Sequence, residues 1–307
     1  MQIIKNSNID FINNSKFTIF LSSALILASI FSLIINNGPR LSIDFKGGTL
    51  VAVKYTKEIN INEFRAKLKS VNISGQNFDF SSAEIKHFGN KSSVALRIAS
   101  IENEPENFSR DLIKVLKDIY PNASPTDKND FILSIGKVSP KVGSELSGKA
   151  IMAIIYALSL ILIYISLRFE FIFAIGAIVA IAHDVIITLG IFSILGYEVS
   201  LSVVAAFLTI VGYSLNDTIV IFDRIRENLK TLKRGSIIDT VNKSINESLS
   251  RTVVTSLTTL IVVLILYIFG GEVIHYFSFA LIIGVLIGTY SSIFVASLIV
   301  VYMQPKS

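Results

Sequence analysis

Residues 199 to 222 read VSLSVVAAFLTIVGYSLNDTIVIF, an apolar run whose one charged side chain is Asp217. A helix needs about 20 mainly apolar residues to cross roughly 30 Å of hydrocarbon, where no water can satisfy an open backbone. The stretch therefore reads as a membrane span with a carboxylic acid inside it. Five further stretches qualify: 17 to 36, 150 to 167, 172 to 195, 252 to 269 and 277 to 302. Between the first and second spans lies one long polar block, residues 40 to 149. The sequence thus predicts an all-α membrane bundle of six transmembrane helices with a domain inserted between helices 1 and 2. Its divisions are 1–39 (N-terminus and first helix), 40–149 (external domain) and 150–307 (five-helix bundle with a loop over 223–251).

Composition agrees. Of the 307 residues 51% are hydrophobic and 17% charged, and the mean hydropathy is +0.63, whereas soluble domains carry about 25% charged residues. Disorder is excluded by the same apolar content. The net charge of +5 is not clustered as a nucleic-acid surface requires. The absence of cysteine removes disulfides, cysteine-ligated zinc, iron–sulfur sites and thiol catalysis.

The first span reads as retained rather than cleaved, because it is long for a signal core and Asn36-Asn37-Gly38-Pro39 is not a small-x-small site. Orientation follows from Lys and Arg in the short segments. Lys5, Lys16, Arg168, Arg224, Arg226, Lys230, Lys233, Arg234, Lys243, Arg251 and Lys306 fall on one side, and the loops around Tyr197-Glu198 and from Gly270 to His275 hold neither type. Both termini are expected in the cytoplasm and the 40–149 block outside. The basic segment 223–251 then serves orientation beside anionic lipid.

Within that block, strands are expected at 50–55, 83–88, 93–99 and 131–138. Helices are expected from Asn62 and from Pro105 to Tyr120, and Gly89-Asn90 marks a hairpin. The order β-α-β-β-α-β is the ferredoxin-like α+β arrangement. His87 reads as a surface residue, and no metal cluster, nucleophile–base pair or phosphate loop is evident; no cofactor and no enzymatic activity are expected.

Ionisable groups inside membrane helices cost about 2.5 to 3.5 kcal/mol each on insertion scales and are functional candidates by default. They are His183 and Asp184 in the third span and Asp217, next to Asn216, in the fourth; Arg251 opens the fifth and is followed by Thr252, Thr255, Ser256, Thr258 and Thr259. Asp217 sits five residues from its helix end, about 7.5 Å at 1.5 Å per residue, so Arg251 can reach toward it as a charge-assisted pair. Burial favours the neutral acid and the guanidinium favours the charged one, which poises Asp217 to load and release a proton. The alternative is that the pair and the Ser/Thr ladder only join helices. His183 and Asp184 either extend the proton path or form a buried pair. Gly284 and Gly288 mark close helix packing.

Several stretches resemble the SecD/SecF family of the resistance-nodulation-division superfamily, specifically the smaller of its two paired export subunits. They are IDFKGGT (43 to 49, with Asp44, Gly47 and Gly48), VSPKVGSEL (138 to 146), the pair His183-Asp184, VGYSLNDTIVIFDRIREN (211 to 228, with Gly212), SRTVVTSLTTL (250 to 260) and FGGEVIHYFSFALIIGVLIGTYSSIF (269 to 294). Ser42 and Ser139 depart from the family pattern. The resemblance implies a bacterial inner-membrane subunit that works with SecD, the SecYEG channel, accessory Sec subunits and lipid. It implies use of the proton gradient to promote late translocation of unfolded polypeptide, and it puts Asp217 and Arg251 where the family has intramembrane charges. Two other readings are a proton-driven small-molecule exporter and an intramembrane aspartyl protease with Asp184 and Asp217 as its dyad. Nothing matches the nucleotide-binding pattern G-x-x-x-x-G-K-[ST].

Overall fold

Helix α1, Ser15–Ile35, buries Ser15, Thr18, Ser22 and Ser29, all of them hydroxyl side chains. Its Phe17, Phe20, Leu27 and Phe31 stay 70%, 71%, 67% and 67% exposed. That is the reverse of a water-soluble helix: small polar residues face the neighbouring helices, and the large apolar ones need a hydrocarbon solvent. The structure is a computed structural model and describes residues 7–13, 15–101, 104–231 and 236–303. Of the cations used to assign orientation, Lys5, Lys233, Arg234 and Lys306 lie outside the described residues. The chain divides into two units, Leu41–Ala150 on one hand and Met1–Arg40 with Ile151–Ser307 on the other.

The Leu41–Ala150 unit begins with a helical turn, α2 (Ile43–Lys46), capped by Ser42, whose Oγ accepts from the Asp44 amide. Strand β1 (Gly48–Lys54) follows, then α3 (Ile61–Lys67), whose cap Asn60 accepts from the amides of Asn62 and Glu63. Strands β2 (Val71–Ile73) and β3 (Gln76–Phe78) make a small hairpin absent from the sequence expectation. Its turn, Ser74-Gly75, holds positive φ at both residues, the backbone a two-residue hairpin demands. The remaining elements are β4 (Glu84–Phe88), β5 (Asn90–Ile98), α4 (Phe108–Ile119), α5 (Lys128–Phe131) and β6 (Ile132–Val138). Gly89, at φ 78°, is the whole link between β4 and β5, so β5 starts earlier than the alternation of apolar residues suggests.

The main sheet runs β4-β5-β1-β6 with antiparallel neighbours. One row across it joins Ile85, Leu96 and Val51. These pack with Phe64 of α3 and Phe108, Leu112 and Leu116 of α4 in one core.

The other unit continues with α6 (Pro140–Arg168), which starts in the first unit, then α7 (Phe171–Leu195) and α8 (Leu201–Thr231). It ends with α9 (Ile237–Phe269), α10 (Glu272–Ser291), a π-helical turn at Ser292–Ala296, and α11 (Ser297–Met303). Among the described residues six helices are long and apolar enough to cross a membrane, counting Ile274–Met303 as one. Helices α7 and α8 form the centre, with Phe173, Ala177, Ile181, Val211 and Phe222 buried together. Helix α7 ends at Gly196, in the left-handed region at φ 65°, a conformation glycine adopts without steric cost.

The stretch 223–251, expected as a loop, is helical over all its described residues except Ser236. The apolar-length argument detects only the part of a helix matched to lipid, and both α8 and α9 continue past it as polar arms. Arg224 donates to Glu247 at 2.6 Å, and Asn228 donates to Ser244 at 2.9 Å and Glu247 at 2.8 Å. Residues 7–12 are stitched to the α9 arm. Asn246 exchanges bonds with Ile9 (2.9 and 2.8 Å), and Asn242 Oδ1 accepts from the amides of Phe11 and Ile12. Phe11 then meets Phe294 edge-on.

Candidate functional site

Asp217 projects from the buried side of α8 at 2% exposure. Its Oδ2 accepts from Ser256 at 3.2 Å, and Thr255 points its hydroxyl at Oδ1 from 3.5 Å. Both donors come from one turn of α9. Ser256 also shares a 2.7 Å bond with Thr289 of α10, so the carboxylate is tied to two neighbouring helices. Arg251 is not in that contact shell. Among the described residues no ion pair joins it to Asp217; its charge acts from a distance, and the side chain stays exposed. The expected direct pair is thus replaced by hydroxyl donors. On α9 Ser256 is buried and Arg251 exposed, and the short Ser256 and Thr255 hydroxyls are the groups that reach the acid.

Asn216 and Gly212, four residues apart, lie on the exposed side of α8, away from the Asp217 cluster. A Cβ on Gly212 would meet nothing within 4 Å.

His183 and Asp184 form a second polar cluster, 3% and 1% exposed. His183 Nδ1 lies 3.0 Å from Asp184 Oδ1. Asp184 Oδ2 accepts from Ser214 at 2.6 Å and from Ser291 at 2.8 Å. On the other side of the ring, Nε2 is 3.1 Å from Ser22 Oγ, which is 2.9 Å from Tyr290 OH. The two acids keep separate hydroxyl partners and share no hydrogen bond, so the geometry gives no support to a protease dyad, in which two carboxyls hold one proton between them.

Sequence reading missed Ser22, Ser214, Thr289, Tyr290 and Ser291. The signal available was a run of hydroxyls, Thr289-Tyr290-Ser291-Ser292, within an apolar span. Each hydroxyl points in its own direction around α10: Thr289 to Ser256, Tyr290 to Ser22, Ser291 to Asp184, and Ser292 to Thr218 at 2.9 Å.

In the Leu41–Ala150 unit, Asp44 lies in the first turn of α2, and Gly47 and Gly48 carry the chain into β1 at φ 74° and 132°. A Cβ on Gly47 would stand 2.8 Å from the Pro140 backbone, and one on Gly48 would collide with the Ile98 carbonyl. The two glycines are required by a crowded turn. Among the described residues no group of three or more His, Asp and Glu could hold a metal ion.

Lipid-facing helices around a buried polar centre, with an inserted antiparallel-sheet domain, define a multi-pass membrane protein. Residues 119–306 match the family described as "Protein export membrane protein SecD/SecF, C-terminal", and residues 32–59 match "SecD/SecF GG Motif". The chain belongs to the SecD/SecF family. It is 48% identical over 302 residues to the protein translocase subunit SecF of Calditerrivibrio nitroreducens, covering 97% of this chain and 95% of that one. The corresponding subunit of Vibrio alginolyticus is 42% identical over 298 residues, covering 96% and 90%. Among solved structures, SecDF from Thermus thermophilus, a translocon-associated membrane protein, superposes with a TM-score of 0.82 at 33% identity. The match takes in 97% of this chain and 39% of the SecDF chain.

Proposed function

We propose that this chain is a subunit of the Sec protein-export machinery that, paired with a SecD-type subunit and acting with the SecYEG channel, uses the proton gradient to promote late translocation of unfolded polypeptide. The observation that carries the proton-coupling reading is the placement of Asp217: a carboxylate sunk among α8, α9 and α10 of an export-family bundle, held by the hydroxyls of Ser256 and Thr255. Loading a proton there removes the charge that orients Ser256 and Thr255, and packing among the three helices differs between the two states. One proton crossing 100 mV makes about 2.3 kcal/mol available, enough to shift a two-state bundle appreciably. Arg251 supplies a counter-charge at longer range, and His183 with Asp184 forms a second proton-binding pair. The role is coupling, with no covalent chemistry.

The protein is placed in the bacterial inner membrane with both ends cytoplasmic. The domain between the first two spans is read as ferredoxin-like, which the order β4-β5-β1-β6 supports. The experiment is Asp217→Asn in cells. The variant is expected to insert and copurify with its SecD-type partner while export loses its response to the proton gradient. Unchanged export would remove the reading.

A further inference from the structure

His183 sits in a chain of hydrogen bonds that does not reach Asp217, and the chain has a direction. A hydroxyl carries one proton, so it donates once. Tyr290 OH donates to the Thr18 carbonyl at 2.8 Å, an acceptor that cannot reciprocate. The 2.9 Å bond between Tyr290 and Ser22 must then be donated by Ser22. Ser22 has no second proton, so its 3.1 Å bond to His183 must be donated by Nε2–H. At the other ring nitrogen, the 3.0 Å bond to Asp184 needs one further proton, on Nδ1 or on Oδ1. All of these contacts are made together when the pair carries a proton on Nε2 and one more between Nδ1 and Oδ1.

Removing that proton reverses the chain. Nδ1–H faces the Asp184 carboxylate, Nε2 becomes an acceptor, Ser22 turns its proton to the ring, Tyr290 donates to Ser22, and the Thr18 carbonyl is released. Among the described residues no other charge faces the ring: α1 offers the Ser22 hydroxyl, α10 offers Tyr290, and the side chain of Asp217 on α8 is turned to Thr255 and Ser256 of α9. A cavity of about 360 Å³ lined by Thr18, Ser22, Ser23, Tyr290 and apolar residues of α1, α7, the π-helical turn and α11 borders His183.

We propose that Tyr290 is a positioning residue that reads the proton occupancy of the His183–Asp184 pair through Ser22 and converts it into the making or breaking of a bond between the last and first membrane helices. The inference extends the proton-coupling reading to a second group. Its test observes the imidazole directly, so it stands or falls independently of Asp217 and of any export measurement.

The test uses the full chain in lipid nanodiscs with ¹⁵N-histidine and ¹³C-carbonyl threonine, read by solid-state NMR against pH, with His87→Gln and His275→Gln giving the assignment. In the unsubstituted protein, loss of the Nε2 proton is expected to coincide with a shift of the Thr18 carbonyl. An Nε2 that titrates while Thr18 stays still overturns the proposal. Tyr290→Phe removes the final donor of the protonated chain, and at fixed pH the ratio of protonated to bare Nε2 is expected to fall about threefold to tenfold, the worth of one hydrogen bond. An unchanged ratio overturns it. On a Ser22→Ala background Tyr290→Phe is expected to add nothing, and additive effects likewise overturn it.

Discussion

Gly284 of α10 lies so close to Ile210 of α8 that a Cβ at 284 would fall inside the isoleucine side chain. One turn on, Gly288 meets Ser214, where an added Cβ would stand 3.1 Å from the serine Cβ. Ser214 is a donor to Asp184, so the glycine seam sets how near α10 comes to both polar clusters. Gly284→Ala is expected to cost about 1 to 3 kcal/mol through overpacking, measured by reversible unfolding in bicelles. Gly288→Ala is expected to cost less, because its added Cβ would stand 3.1 Å from the nearest Ser214 atom whereas one at 284 would overlap Ile210.

Ser256 and Arg251 should differ in a way the sequence alone would rank oppositely. Ser256→Ala strips a donor from a buried carboxylate, which costs about 1 to 3 kcal/mol. Arg251→Ala removes an exposed side chain that makes no ion pair with Asp217, and the expected change in bundle stability is within about 0.5 kcal/mol. The same unfolding measurement compares them. A larger loss for Arg251→Ala would show that the guanidinium contacts the acid directly.

Asp111 of α4 carries a pH dependence in the Leu41–Ala150 unit. Hydrogen bonds from Lys114 and from Ser74 hold its carboxyl below the ordinary range, and the Ser74 bond, 2.7 Å long, ties the β2–β3 turn to α4. The folded state binds this proton less readily than the unfolded one. The stabilisation is therefore complete above the ordinary carboxylate value and is lost as pH falls through the lower folded value. Amide exchange at Ser74 and Gly75, corrected for its intrinsic pH dependence, is expected to quicken over that acid window. Asp111→Asn should flatten the response.

The membrane spans were legible because apolar length is a one-dimensional property, and 172 to 195 differs from α7 by one residue at its start. What lay beyond the lipid was less legible. The arms of α8 and α9 are held by Asn228, Ser244 and Glu247, whose pairing across two helices leaves no periodic trace in either. Asp217, His183 and Asp184 stood out because a charge in an apolar run is conspicuous. Their partners did not, because serine and threonine are common in membrane helices and only the rotation of α9 and α10 decides which face an acid. That rotation also separates Arg251 from Asp217, although thirty-odd residues of sequence and a shared depth made them look paired.

The stitching of residues 7–12 to Asn242 and Asn246 has a consequence for biosynthesis. Those partners follow 231 and 237 residues later in the chain, and Tyr290 follows Ser22 by 268. At about 5 to 20 residues per second of synthesis, the N-terminal segment and first membrane helix wait on the order of 10 to 50 s before these last mates emerge. His183 of α7 reaches Ser22 after 161 residues, but until α9 and α10 follow the first helix lacks its remaining partners, so a chaperone or neighbouring subunit is expected to shield it.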